Sequence, residues 1–162
     1  MRKELFIYFL MLLTLVSCSN ENNYKTNQEG IENIIKFPVK PMSIKYELLD
    51  KKLGQGSQDC SEIIYLIIES KYSSSNFDSL RNIIESEKSY NHPVPIKSWF
   101  YKKWFSQSIK DKIGKQGDFY LMKPKVYSGN SLFLKENVFG RYFAILSDKN
   151  ELLLKIEVCT RK

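Results

Sequence analysis

One histidine, His92, and three cysteines, Cys18, Cys60 and Cys159, bound the acid–base and thiol chemistry open to this chain. A Ser-His-Asp hydrolase would have to recruit His92, and no Gly-x-Ser-x-Gly elbow presents a serine to it. His92 stands between Asn91 and Pro93 with no His or Cys at metal-ligand spacing. HExxH, CxxC and the spaced Asp/Asn pattern of a calcium loop are missing as well. No metal or cofactor is expected, and His92 reads as a solvated loop residue. A thiol enzyme would rest on Cys60, whose expected place in the first turn of a helix favours thiolate, but no second cysteine stands at redox-motif spacing. Carboxylate hydrolysis needs only two acids at the right separation. Asp59, Glu62, Glu85 and Glu87 are the acids at hand, and each also reads as a helix cap or a solvated helix face. Gly54-Gln55-Gly56 lacks the strand and third glycine of a phosphate cradle and reads as a turn.

The segment Ile96 to Ile113 is the most unusual. Trp99, Phe100, Tyr101, Trp104 and Phe105 fall within seven residues that include both tryptophans of the chain. From Lys97 to Lys125 eight lysines stand against Asp111 and Asp118, a net charge of +6. Three binding chemistries suit this pattern: seating at a membrane interface, gripping an anionic glycan or lipid headgroup, or forming a partner-protein hot spot. Lys97, Trp99, Lys102, Lys103 and Trp104 are the expected binding surface. The plainer alternative is a core segment whose rings face a sheet while its lysines stay in water. On a helix, Ile96, Trp99, Phe100 and Trp104 form a stripe, but Phe105, Ile109 and Ile113 lose its phase, so a break near Ser106 is expected.

The elements that position these residues follow from periodicity. Met42 to Leu49 suits a first strand. Asp59 with Glu62 suggests a capped helix carrying Cys60, Ile63, Ile64, Ile67 and Ile68 on one face. A second helix, about Phe77 to Lys88, aligns Phe77, Leu80 and Ile84, and His92-Pro93-Val94-Pro95 ends that unit. Phe119 to Tyr127, Leu132 to Lys135, Arg141 to Ser147 and Glu151 to Thr160 read as strands, with a hairpin loop at Asp148-Lys149-Asn150. The expected fold is α+β, with helices in the first half packed on an antiparallel C-terminal sheet of about four strands.

The amino-terminal end carries an address. Arg2 and Lys3 precede an apolar run from Leu5 to Val16, too short to span a bilayer, which takes about 20 residues. It closes on Leu15-Val16-Ser17-Cys18. These four residues resemble the lipobox of bacterial lipoproteins: a branched aliphatic, a tolerant position, a small residue and an obligatory cysteine. The resemblance implies a diacylglycerol on the Cys18 sulfur, cleavage before Cys18, and acylation of the new amino group, with fatty acyl chains such as palmitate. Residues 1–17 are then a signal peptide, and 18–36 the lipidated cysteine and a polar, Asn-rich flexible tether. Residues 37–162 form a single globular domain. Ser19 is not the Asp that marks inner-membrane retention in many lipoproteins, which favours the outer membrane.

Setting aside Arg2, Lys3 and Glu4 leaves 23 basic and 17 acidic residues, so the Lys97–Lys125 segment holds the whole charge excess. With Cys18 lipidated, Cys60 and Cys159 remain as an even pair in an oxidising compartment, which invites a disulfide. Against it, Cys159 shares a strand face with Lys155 and Glu157; unpaired structural thiols are the alternative. The reading is a lipid-anchored, non-catalytic envelope domain that binds a protein or an anionic glycan or lipid; nucleic acid is disfavoured by the compartment. The alternatives are a small envelope enzyme or a lipoprotein that neutralises a toxin or inhibits a hydrolase.

Overall fold

The computed structural model describes residues 23–52 and 62–160. The expected signal peptide, Cys18, the Gly54–Gly56 turn, Asp59 and Cys60 lie outside them. Nine strands occur among the described residues: β1 (Ser43–Lys52), β2 (Glu62–Lys71), β3 (Lys88–Tyr90), β4 (Val94–Ile96), β5 (Ile113–Gln116), β6 (Phe119–Met122), β7 (Val126–Gly129), β8 (Gly140–Leu146) and β9 (Glu151–Thr160). Two α-helices join them, α1 (Ser74–Ile84) and the five-residue α2 (Gln107–Asp111), with one 3₁₀ turn at Ser98–Phe100. The strands form an antiparallel six-stranded sheet, ordered β1-β2-β9-β8-β7-β3, and a three-stranded sheet, ordered β4-β6-β5.

The α+β class holds, but the molecule is richer in sheet than a helices-first plan with four strands. The expected first helix is β2. Ile63 to Ile68 is an apolar run dominated by β-branched and aromatic residues, and a run so short cannot be assigned by helical spacing alone. Both of its sides are needed: Leu66, Ile67 and Ile68 are all fully buried. Leu66 and Ile68 face one core with Leu152, Leu154 and Ile156 of β9, while Ile67 faces the other with Leu153. β2 is therefore a central strand covered on both faces over Leu66–Ile68, which removes the alternation of a half-exposed strand. β9 keeps that alternation beyond Leu154, where Lys155 and Glu157 are only half-buried.

One face is covered by α1. Ser73 caps it, its hydroxyl accepting from the Asn76 amide at 3.3 Å, and Phe77, Leu80 and Ile84 point inward. Each such burial contributes about 1.5–3 kcal/mol. Residues before 37 share this core: Ile31 and Ile35 are buried, and Lys25 exchanges backbone hydrogen bonds with Tyr46 at 2.8 and 2.9 Å. Among the described residues, packing thus reaches back to Tyr24, before the expected start at 37. Residues 132–135, expected as a strand, form only a bridge from Leu134 to Ile35, with Phe133 and Leu134 buried as plugs.

The opposite face is covered by the small sheet, the 3₁₀ turn and α2. Ile96, Phe100, Phe105, Ile109, Ile113 and Met122 pack onto Ile67, Val126, Ile145 and Leu153. Phe119 to Tyr127, expected as one strand, is split at Lys123-Pro124-Lys125 into β6 and β7, which belong to different sheets. Pro124 has no amide to donate to a ladder. The break near Ser106 is present: Ser106 caps α2 through a 3.3 Å bond from the Ile109 amide.

The β8–β9 hairpin turns through Asn150 at a positive φ of 59°, a conformation asparagine tolerates better than most residues. Gly140 marks a tight approach, since a Cβ there would meet the Glu157 carbonyl of the neighbouring strand and the Leu134 side chain. Gly140→Ala is expected to destabilise the fold by about 1–3 kcal/mol in denaturant melts, the usual penalty of overpacking.

Candidate functional site: a basic basin at the rim of the sheet

The lysines of the 97–125 segment scatter: Lys102 turns inward, Lys112, Lys123 and Lys125 line one concavity, and Lys97, Lys103, Lys110 and Lys115 lie elsewhere. The first half of the segment turns inward. Phe100 and Phe105 are buried, and Trp99 is half-buried with its ring 4.8 Å from that of Tyr65. Lys102 donates to Glu47 at 2.7 Å with both side chains largely covered, and the Trp104 indole N–H approaches the same carboxylate at 3.5 Å. Lys97 and Lys103 are exposed. The expected binding residues therefore do not converge on one pocket.

The second half makes a concavity of about 430 Å³ where β8 ends and β7 begins. Arg81 and Glu85 reach it from the end of α1, Lys112 from the end of α2, and Lys123, Pro124 and Lys125 from the β6–β7 link. Tyr127, Ile145, Leu146, Ser147 and Asp148 complete the wall and floor. Four cations thus face two carboxylates. Lys112 pairs with Asp148 at 3.4 Å, and Arg81 lies 3.7 Å from Asp78 with its guanidinium 5.1 Å over the Phe77 ring. The Lys123 ammonium donates to the Asp111 carbonyl at 2.7 Å, and Lys125 lies 5.6 Å over the Tyr127 ring. Among the described residues, no carboxylate lies within ion-pair distance of Lys123 or Lys125. Burial first, and the Glu85 charge second, push the Tyr127 phenol above its ordinary range, with Arg81 opposing, so Tyr127 stays a protonated donor. The basin is large enough for a small acidic ligand.

Two further concavities lie elsewhere on the described residues. One of about 300 Å³ is lined by Ile63, Gly140, Arg141, Glu157, Val158 and Cys159. Its cation is spent on Glu157, which accepts from Arg141 at 2.6 Å and also from Lys155. Burial raises Glu157, but Lys155 and Arg141 together outweigh it and hold the carboxyl below the ordinary range. The other, about 320 Å³, gathers Lys36, Lys40, Lys135 and Glu32 around Ile31, Ile35 and Phe37, a second concavity with an excess of cations.

Periodicity did not bring out a buried carboxylate pair beneath the segment. Glu69 and Glu151, on β2 and β9, are 6% and 8% exposed. Glu69 accepts from the Ser106 amide at 2.8 Å and lies 3.5 Å from Lys45. Glu151 accepts from the hydroxyls of Ser106 at 2.7 Å, Ser147 at 3.4 Å, and Ser108. These bonds tie the start of α2 to the sheet, and neither acid lines the three concavities above. The visible signal was a glutamate directly after the apolar run that ends at Ile67-Ile68.

Burial, reinforced by Glu151 and opposed by Ser106 and Lys45, raises the Glu69 carboxyl above the ordinary 4.5. Its folded form binds a proton more tightly than the unfolded chain does, so ionisation costs stability as pH rises through that raised value. Glu69→Gln keeps an acceptor for the Ser106 amide without the charge. Its stability at neutral pH is expected within about 1 kcal/mol of the parent or above it, against about 1.5–3 kcal/mol lost if the ionised bonds were stabilising. Chemical melts at pH 5 and 7 measure this, and the difference between the two proteins should shrink at the lower pH.

Of the acids considered for catalysis, Glu62 opens β2 instead of completing a helix cap. Glu85 lies on the basin, and Glu87 sits beside the buried Tyr142 hydroxyl, which it and burial hold protonated. His92 is exposed, its ring 5.5 Å from Tyr90. Cys159 is half-buried and disulfide-bonded, opposite Ile63 in the β2–β9 register. No protein-family model, curated protein or solved structure matches the chain.

Proposed function

We propose that this chain is a lipid-anchored, non-catalytic protein of the bacterial cell envelope, held in the outer membrane, that binds an acidic saccharide in the basic basin. The observation that carries the reading is the convergence of Arg81, Lys112, Lys123 and Lys125 from three separate elements onto one concavity. Lysines and arginine supply charge-assisted bonds to a carboxylate or phosphate on the sugar. Tyr127, Glu85 and Asp148 supply the donor and acceptors that ring hydroxyls require. The anchor rests on Leu15-Val16-Ser17-Cys18, and the disulfide at Cys159 is in keeping with an oxidising compartment.

Titration calorimetry with trigalacturonate tests the site. Charge-assisted hydrogen bonds contribute about 1.5–3 kcal/mol each, so Lys123→Glu is expected to weaken binding by about 10- to 100-fold or more. Lys97→Glu, on the exposed start of the same segment, should change it by less than about threefold, the effect of one screened surface charge. Equal losses in the two variants would show a diffuse charge effect and no site.

A further inference from the structure

We infer that the face around Tyr24 and Trp104 rests on the anionic lipid surface that holds Cys18. The inference builds on the lipid-anchor reading and adds an orientation to it. Lys25 is fixed to β1 by its two backbone hydrogen bonds to Tyr46, which places Tyr24 at the edge of β1. Only five residues separate Tyr24 from Cys18. Six Cα–Cα steps reach at most about 20 Å. A domain of this length is roughly 35–40 Å across, so the tether cannot pass around it to turn the opposite side toward the bilayer.

The face at this edge has the chemistry of an interface. The Tyr24 and Trp104 rings meet at 5.4 Å, both half-buried, and the Lys45 ammonium lies 5.7 Å over Tyr24. Lys25 and Lys103, the chain neighbours of Tyr24 and Trp104, are exposed, and among the described residues no carboxylate pairs with either. Rings with one polar end settle at headgroup level, and lysines reach past them to anionic lipid. The Lys102–Glu47 pair beneath is internally neutral and holds the Trp104 indole N–H on the same carboxylate. The orientation also separates the two binding roles. The basin's Tyr127 lies on β7, four strand spacings from β1, or roughly 20 Å. That distance lifts the basin clear of the headgroups, which suits a saccharide over a bilayer lipid as its ligand.

The test uses the full-length protein, processed in cells and reconstituted in vesicles of phosphatidylglycerol and phosphatidylcholine carrying bromine near the top of the acyl chains. Trp99→Phe leaves Trp104 as the only tryptophan, and Trp104→Phe leaves Trp99. Trp104 fluorescence is expected to be quenched at least about twofold more than that of Trp99. In the Trp99→Phe background, Lys25→Glu/Lys103→Glu should reduce the quenching by half or more, while Lys123→Glu/Lys125→Glu leaves it unchanged. Folding of every variant is verified by its thermal midpoint, and the mass of the amino-terminal peptide shows whether Cys18 is acylated. An acylated protein in which Trp104 is quenched no more than Trp99 overturns the orientation alone; so does relief of quenching by the basin variant but not by Lys25→Glu/Lys103→Glu. An unacylated Cys18 overturns the anchor and the orientation together, and leaves the saccharide reading of the basin to its own titration.

Discussion

Leu66→Ala and Ile67→Ala are each expected to lower stability by about 2–5 kcal/mol, the range for truncating a fully buried large aliphatic side chain. Both residues are completely buried although they are adjacent in sequence. In β2 they point to opposite faces: Leu66 enters the core beneath α1, and Ile67 the core beneath the small sheet. A helix over the same residues would leave Leu66 off the apolar stripe of Ile63, Ile64, Ile67 and Ile68, and its truncation would cost within about 0.5 kcal/mol, like other surface changes. Urea melts of the two variants distinguish these outcomes. Comparable large losses establish a strand covered on both sides, and a small loss for Leu66→Ala alone contradicts it.

Breaking the disulfide at Cys159 is the second large effect. Cys159→Ala, or reduction of the parent, is expected to cost about 2–5 kcal/mol, the usual loss on removing a native disulfide from a small domain. Cys60 is the proposed partner, because lipidation of Cys18 leaves it the remaining cysteine. Closing roughly 100 residues would place the effect at about 4–5 kcal/mol in the chain-entropy picture. The link would tie the segment leading into β2 to the end of β9, across strands already paired from Glu62↔Thr160 to Lys71↔Glu151. Alkylation of the unfolded, unreduced protein should leave Cys159 unmodified and yield a Cys60–Cys159 peptide on digestion. An alkylated Cys159 under those conditions contradicts the bond.

Much of the C-terminal half was legible because its strands alternate. Leu152, Leu154, Ile156 and Val158 face α1 as their spacing predicts, and α1 itself follows from Phe77, Leu80 and Ile84. β2 was not legible, since a strand buried on both faces has no alternation and its isoleucines fall by chance at helical spacing. The packing of residues 24–36 was hidden by a polar composition in which Ile31, Ile34 and Ile35 are the side chains packed in or against the core. At the candidate site, the lysine excess marked a segment whose lysines the structure sends to different places. Lys102 and Trp104 are absorbed by Glu47, a partner 55 residues or more away. Arg81 and Asp148 reach the basin from α1 and the β8–β9 turn, and no local pattern reports such long-range convergence.

Carbodiimide coupling of trigalacturonate to the native protein, followed by peptide mapping, tests the central claim most directly. A carboxylate seated in the basin places its carbonyl against the ammonium groups there. The account predicts adducts concentrated on Lys112, Lys123 and Lys125, suppressed by excess unactivated trigalacturonate. Adducts concentrated on the exposed Lys97 and Lys103, or spread across the surface lysines without competition, would contradict it.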